Sequence, residues 1–365
     1  MSRWTRRNFL KASSLAVAGA STGGIAWARP VDANSDYDPV TMALGISEKL
    51  FAHDGLARPV PEKPTVSDLA RGLDRTMVLG GGGEYYVAWY CGFFHGLLDV
   101  GIDMNALSEM VVGTSAGSYM GSSLTSGHFQ RLRTEFEFFG YFPKIFADMA
   151  PVVSPNISQQ RAQEVNMGVK DGSASSIRAI GHAALAADNR VSGVKVERLA
   201  ALLTGDSKTD WPVAKMYTTA NDCYSGERLI VGQTVARKNN IPLSHGAAAS
   251  SSLPGVIGPT LLGQRYCMDG GIAATTSHCD VVAGSKRSII ITLTDGVTGV
   301  KLTGIPHNVH EEVKALEATG TKALWIVAGA PLGVNLMDPT QIEPAMRTGY
   351  ERARKEAEEI GKFWA

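Results

Sequence analysis

The feature that most constrains this chain is a short unit that occurs twice in succession: an apolar run, a glycine-rich turn, then a helix. Thr76-Met77-Val78-Leu79 ends in Gly80-Gly81-Gly82-Gly83, and residues 86–100 read as a largely apolar helix before Gly101. Glu109-Met110-Val111-Val112 ends in Gly113-Thr114-Ser115-Ala116-Gly117, and residues 118–126 read as the next helix. Apolar runs without polar alternation suit strands buried on both faces. Two successive strand-turn-helix units imply a parallel sheet covered by helices. Further strands are expected at 214–219, 229–231, 288–293 and 324–327, and an amphipathic helix over 344–363 closes the chain.

With 365 residues, 44% of them hydrophobic and 19% charged, the default is one large domain with a substantial core. Thirty-five basic residues balance 35 acidic ones. No basic run follows the first few residues, so nucleic acid is set aside as a partner. Cys91, Cys223, Cys267 and Cys279 show no zinc-ligand spacing, so neither a metal site nor a dense disulfide framework is expected.

The N-terminus reads as a twin-arginine export signal: Arg6-Arg7 followed by Phe9-Leu10-Lys11, a weakly apolar stretch, and Ala26-Trp27-Ala28 as a cleavage site. Residues 12–28 are too short and glycine-rich for a comfortable membrane span. Residues 1–28 are thus expected to be removed after contact with the translocation machinery, leaving the protein periplasmic or secreted. Such signals carry folded bacterial proteins, so the cysteines would fold in a reducing cytoplasm and stay free. Residues 29–75 read as a proline-containing lead-in with at most a short helix near 40–50, and 76–365 as the main domain with an insertion around 127–210. Six of the eleven phenylalanines fall within that insertion, at 129–146. Phe129, Leu132, Phe136 and Phe139 share one helical face and read as core, while Phe138, Tyr141 and Phe142 lie off it as a candidate apolar lip for acyl chains.

Three segments carry candidate chemistry. Gly113 to Gly117 fits the GxSxG elbow, whose small residues allow a sharp turn that lifts the hydroxyl of Ser115 at a helix N-terminus. Gly80, Gly81, Gly82 and Gly83 follow the preceding strand, and glycine lets several amides converge on one oxygen. A dinucleotide fingerprint fails there because Tyr85 stands where the third glycine would fall, and a phosphate-binding loop lacks its Gly-Lys-Ser/Thr. The third segment is Asp269-Gly270-Gly271 after a short strand, expected to put a carboxylate at a sheet edge.

In that order and on those elements the chain resembles the patatin-like phospholipases, with the alanine- and serine-rich stretch 247–259 leading into Asp269. The resemblance covers roughly 76–295. It implies a three-layer α/β/α sandwich around a mostly parallel sheet, lipid acyl hydrolysis without a cofactor, Ser115 as nucleophile, Asp269 as base, and the Gly80–Gly83 amides as oxyanion hole. Thr114, Ala116, Gly113, Gly117, Gly270 and Gly271 complete the motifs. One departure stands out: Glu84, Tyr85 and Tyr86 follow the glycines, where the family usually has a basic residue and a further glycine. A carboxylate aimed at an oxyanion would oppose its charge, so Glu84 is expected to point away. Two other readings stay open: an esterase with a triad drawn from Ser115, Asp269 or Asp295 and His278, His307 or His310, and a lipid-binding protein without catalysis. His307, His310 and Glu311 read as a solvated helix start rather than a metal site.

Overall fold

The computed structural model describes residues 54–149, 155–189, 193–205, 210–273, 275 and 277–365. The export signal and the helix expected near 40–50 lie outside them. Strand β1 (Arg75–Leu79) leads through the glycines into helix α1 (Gly83–Leu98), and β2 (Met110–Gly113) leads through the serine turn into α2 (Ala116–Thr125). Five helices follow: α3 (Phe129–Tyr141), α4 (Pro143–Met149), α5 (Ile157–Gly168), α6 (Ala174–Ala186) and α7 (Gly193–Thr204). The chain then returns to the sheet as β3 (Met216–Asp222) and β4 (Arg228–Gly232), continues through α8 (Leu243–Ser250), and adds β5 (Thr260–Leu262) and β6 (Arg265–Asp269). The last main elements are β7 (Arg287–Thr292), α9 (Val309–Glu317), β8 (Lys322–Val327) and α10 (Ile342–Trp364).

The sheet runs in the order β5-β6-β3-β2-β1-β7-β8, with β4 on the other side of β3. The pairs joining β3, β2, β1, β7 and β8 are parallel, whereas β4 and β6 pair antiparallel with β3 and β5 pairs antiparallel with β6. Successive side chains leave a strand on opposite faces. Met77, Leu79, Val111, Ile289 and Ile291 accordingly join one core with α1, α2 and α10, while Val78, Met110, Val112 and Ile290 join another with Leu316 of α9 and Val282. Helices on both faces of a mostly parallel sheet make the three-layer α/β/α arrangement.

Register along β3 decides where the site lies. β2 pairs with the first half of β3, up to Gly113 opposite Thr218. β6 arrives antiparallel along the second half of that same edge and ends with Asp269 opposite Ala220. The C-terminal ends of β2 and β6 therefore meet head to head, two residues apart on β3.

The lead-in is stitched to this frame from residue 54 onward. Leu56 is buried, its carbonyl accepts the Ile230 amide at 3.0 Å, and Asp54 pairs with Arg265 at 2.7 Å. Phe129, Leu132, Phe136 and Phe139 of α3 are buried, whereas Phe138, Tyr141 and Phe142 are exposed. All four cysteines are buried and unpaired.

Candidate active site

Ser115 sits between β2 and α2 at φ +52°, ψ −119°, a backbone conformation that costs a non-glycine residue energy and is typical of a nucleophile elbow. The turn is as tight as the motif requires. A Cβ added at Gly117 would lie 2.1 Å from the Leu79 carbonyl oxygen, so any larger residue would push α2 off the β1 strand. Ser118 Oγ donates to the Ser115 carbonyl at 2.6 Å, and the Ser115 amide donates to Ser250 Oγ at 2.9 Å.

Asp269 approaches from the end of β6. Its Oδ1 accepts the Gly271 amide at 2.7 Å, and the residue lines the same two pockets as Ser115. Its backbone is pinned on both sides: the amide donates to the Ser252 carbonyl at 3.0 Å and the carbonyl accepts Asn221 Nδ2 at 2.7 Å. Beneath the pair, Thr114 and Thr219 hydroxyls bond at 2.9 Å and tie β2 to β3. Sequence analysis singled out Ser115, Asp269 and the 247–259 stretch but not the roles of Ser250, Ser252, Asn221 and Thr219. Those roles come from contacts between distant segments and leave no local pattern. The expected position at a sheet edge is corrected in part: β6 lies between β5 and β3, with β5 pairing only as far as Cys267, and Asp269 ends the strand opposite Ala220 of β3.

Ser115 is 8% exposed and Asp269 3%. Burial raises the Asp269 carboxyl to about 6, and the Gly271 amide and Ser115 hydroxyl only partly offset it. A carboxylate near 6 is a far better proton acceptor than one at 3.8, yet it is ionised at neutral pH.

The glycine run lies against the serine. A Cβ at Gly81 would fall 2.9 Å from Ser115 Cβ, a spacing only glycine tolerates. The expectation for the run is corrected at its first member: the Gly80 amide donates to the Ile291 carbonyl at 2.9 Å and continues the sheet, so it is not free to hold an oxyanion. Gly81, Gly82 and Gly83 remain for that role, with Gly83 opening α1 at its positive dipole end.

Two pockets meet at Ser115 and Asp269. One is apolar, walled by Tyr119 of α2, Phe136 and Phe146 of α3 and α4, Leu203 of α7, and Ile257. The other is more polar, lined by Gly81, Thr294, Lys301, Thr303 and His307. Glu84 lines the apolar pocket and not the polar one that holds Gly80 and Gly81, and it is buried rather than turned to solvent.

The histidines named as alternative bases are held elsewhere. His278 is buried with Nε2 3.1 Å from the Gly270 carbonyl, and desolvation together with Arg228 lowers its pKa to about 3. His307 lines the polar pocket, but its Nε2 is held by the Ala273 carbonyl at 2.8 Å. His310 packs edge-on against Trp325. Asp295 caps its own turn through the Val297 and Thr298 amides. Among the described residues no histidine is hydrogen-bonded to Ser115 or Asp269.

A serine on a strained elbow, a buried aspartate against it and an apolar pocket alongside, all on an α/β/α frame, define a class of α/β proteins with a serine–aspartate pair at converging strand ends. A family model described as patatin-like phospholipase matches residues 77–277, more than half of the chain, and takes in the glycine run, Ser115 and Asp269. The chain belongs to the patatin-like phospholipase family. Among solved structures it is similar to VipD from Legionella pneumophila, at 13% identity over 83% of this chain and 71% of that one, with a TM-score of 0.35. It is also similar to the type III effector protein ExoU, at 14% identity over 80% of this chain and 54% of that one, TM-score 0.33. The ExoU–SpcU complex from Pseudomonas aeruginosa matches at 12% identity over 84% and 59%, TM-score 0.34. No curated protein matches the chain.

Proposed function

We propose that this protein is a serine acyl hydrolase that cleaves carboxylic ester bonds of lipids through Ser115 and Asp269 and an acyl-enzyme intermediate. The observation that carries the reading is a serine on a strained elbow and a buried carboxyl raised to about 6, both lining the junction of an apolar and a polar pocket. In the first step Ser115 Oγ attacks the ester carbonyl and its proton passes to Asp269. The carbonyl oxygen, now negative, faces the Gly81–Gly83 amides. The tetrahedral intermediate then expels the alcohol, which takes the proton from Asp269 and leaves through the polar pocket. The acyl chain stays in the apolar pocket as a serine ester. Water, deprotonated by Asp269, attacks that ester, and collapse of the second intermediate returns the proton to Ser115 and releases the acid.

The exposed side chains of Phe138, Tyr141, Phe142 and Ile145 fit a peripheral contact with a lipid surface, because buried neighbours on the same helices, Phe136 and Phe146, wall the apolar pocket. Among the described residues no helix is long and apolar enough to cross a membrane. Export by the twin-arginine route to the periplasm or beyond belongs to the same proposal, on the strength of Arg6-Arg7 and Ala26-Trp27-Ala28.

A fluorophosphonate probe tests the reading, since only an activated serine reacts readily. Mass spectrometry should place the label on Ser115 and find none in Ser115→Ala. An unlabelled parent protein would favour the lipid-binding reading instead.

A further inference from the structure

Glu84 opens α1 immediately behind the glycine run and lines the apolar pocket together with Ser115. It is 8% exposed, and its Oε2 is buried with no hydrogen-bond partner among the described residues. Among the described residues no cation lines that pocket, and the charge that acts on the carboxyl is the like charge of Asp338. Burial and Asp338 push the carboxyl up to about 8. The first turn of a helix favours an anion, but by less than about one pH unit, which does not reverse a shift from 4.5. Glu84 is therefore mostly protonated at neutral pH, with one O–H to donate and a carbonyl to accept.

A pure hydrocarbon chain filling this pocket would leave that carboxyl dry and unpaired, which is the unfavourable way to bury a polar group. A hydroxyl on the chain would answer both its donor and its acceptor. Glu84 is three residues from Gly81, which touches Ser115, so the group it meets lies toward the ester end of the chain. Resting on the Ser115–Asp269 hydrolase reading, we infer that the apolar pocket selects acyl groups carrying a hydroxyl near the ester carbonyl, with Glu84 as the residue that recognises it. Glu84 is a specificity residue in this account, touching the acyl group but not the reacting atoms.

The test compares nitrophenyl decanoate with nitrophenyl 3-hydroxydecanoate, using the mature protein, Glu84→Gln and Glu84→Met. The parent should favour the hydroxylated ester in kcat/KM by about 10-fold or more, the scale of one buried polar group left unpaired. Glutamine keeps a donor and an acceptor and should keep the preference. Methionine keeps the volume without them, so it should raise turnover of the plain ester and bring the ratio near one. A parent that hydrolyses both esters equally overturns this inference while leaving the hydrolase reading intact. So does a preference that survives in Glu84→Met, or a folded Glu84→Met inactive on both esters. A parent inert on both esters overturns the hydrolase reading and this inference with it. If Glu84→Met fails to fold, the ratio in the parent against that in Glu84→Gln still decides: no preference in the parent, or loss of preference in Gln, counts against it.

Discussion

Asp269 is under two opposed demands, one from folding and one from chemistry. Burial holds its carboxyl near 6, against a reference near 3.8, so the folded chain grips a proton more tightly than the unfolded chain. The resulting stability is present below about pH 4 and is lost as the pH rises through about 6, at a cost on the order of 3 kcal/mol by neutral pH. Asp269→Asn keeps an acceptor for the Gly271 amide and carries no charge. It should therefore be more stable than the parent in urea at pH 7, by roughly 1–3 kcal/mol, with the gap closing near pH 4. A variant less stable than the parent at pH 7 would mean that the buried charge is compensated. The proposed reaction needs the ionised form, so kcat/KM on a soluble ester should fall about tenfold per pH unit below pH 6. A pH profile flat down to 4 would assign the base elsewhere. Ser115 and Asp269 were legible in the sequence because glycines flank both, and the backbone geometry they need is local. Ser250, Ser252, Asn221 and Thr219 were not, since a serine or threonine that steadies a distant strand looks like any other. Glu84 was legible as a departure. Its burial in an apolar pocket depends on Phe136, Leu203 and Ile257, which come from three separate segments.

At the scale of elements, the strands followed from their unbroken apolar runs, and α1, α2 and α10 from their positions and periodicity. What local pattern could not convey is the pairing along β3, where β2 ends at Thr218 and β6 comes the other way to Ala220. Antiparallel arrival of a strand from fifty residues downstream is a property of the whole sheet, and it alone sets Asp269 beside Ser115. β5, three residues long, carries too little sequence to announce itself. Helices α3 and α4 have two jobs: Phe136 and Phe146 face inward, while Phe138 and Phe142 are 46% and 52% exposed. Charging the outer pair with Phe138→Asp and Phe142→Asp should lower partitioning onto phosphatidylcholine vesicles about tenfold or more. Hydrolysis of a short soluble ester should change little, because the inner wall is untouched. Undiminished vesicle binding would remove the lip from the account.

At the scale of the molecule, the proposed reaction draws its pair of residues from the sheet, and the helices between β2 and β3 supply much of the wall of the apolar pocket. α7 and α3 close over Ser115 from one side, and the loop carrying Lys301 and Thr303 lines the other. An ester that spans the junction would place its acyl part among phenylalanines and its alcohol part among hydroxyls and a lysine. This division predicts a preference for long acyl chains. Hydrolysis of a chain-length series of nitrophenyl esters by the mature protein, Ser115→Ala and Asp269→Asn tests chemistry, base and pocket together. Turnover should rise with chain length in the parent and fall by about 10³-fold or more in both variants. An Asp269→Asn protein that kept most of the parent activity would contradict the Ser115–Asp269 pair.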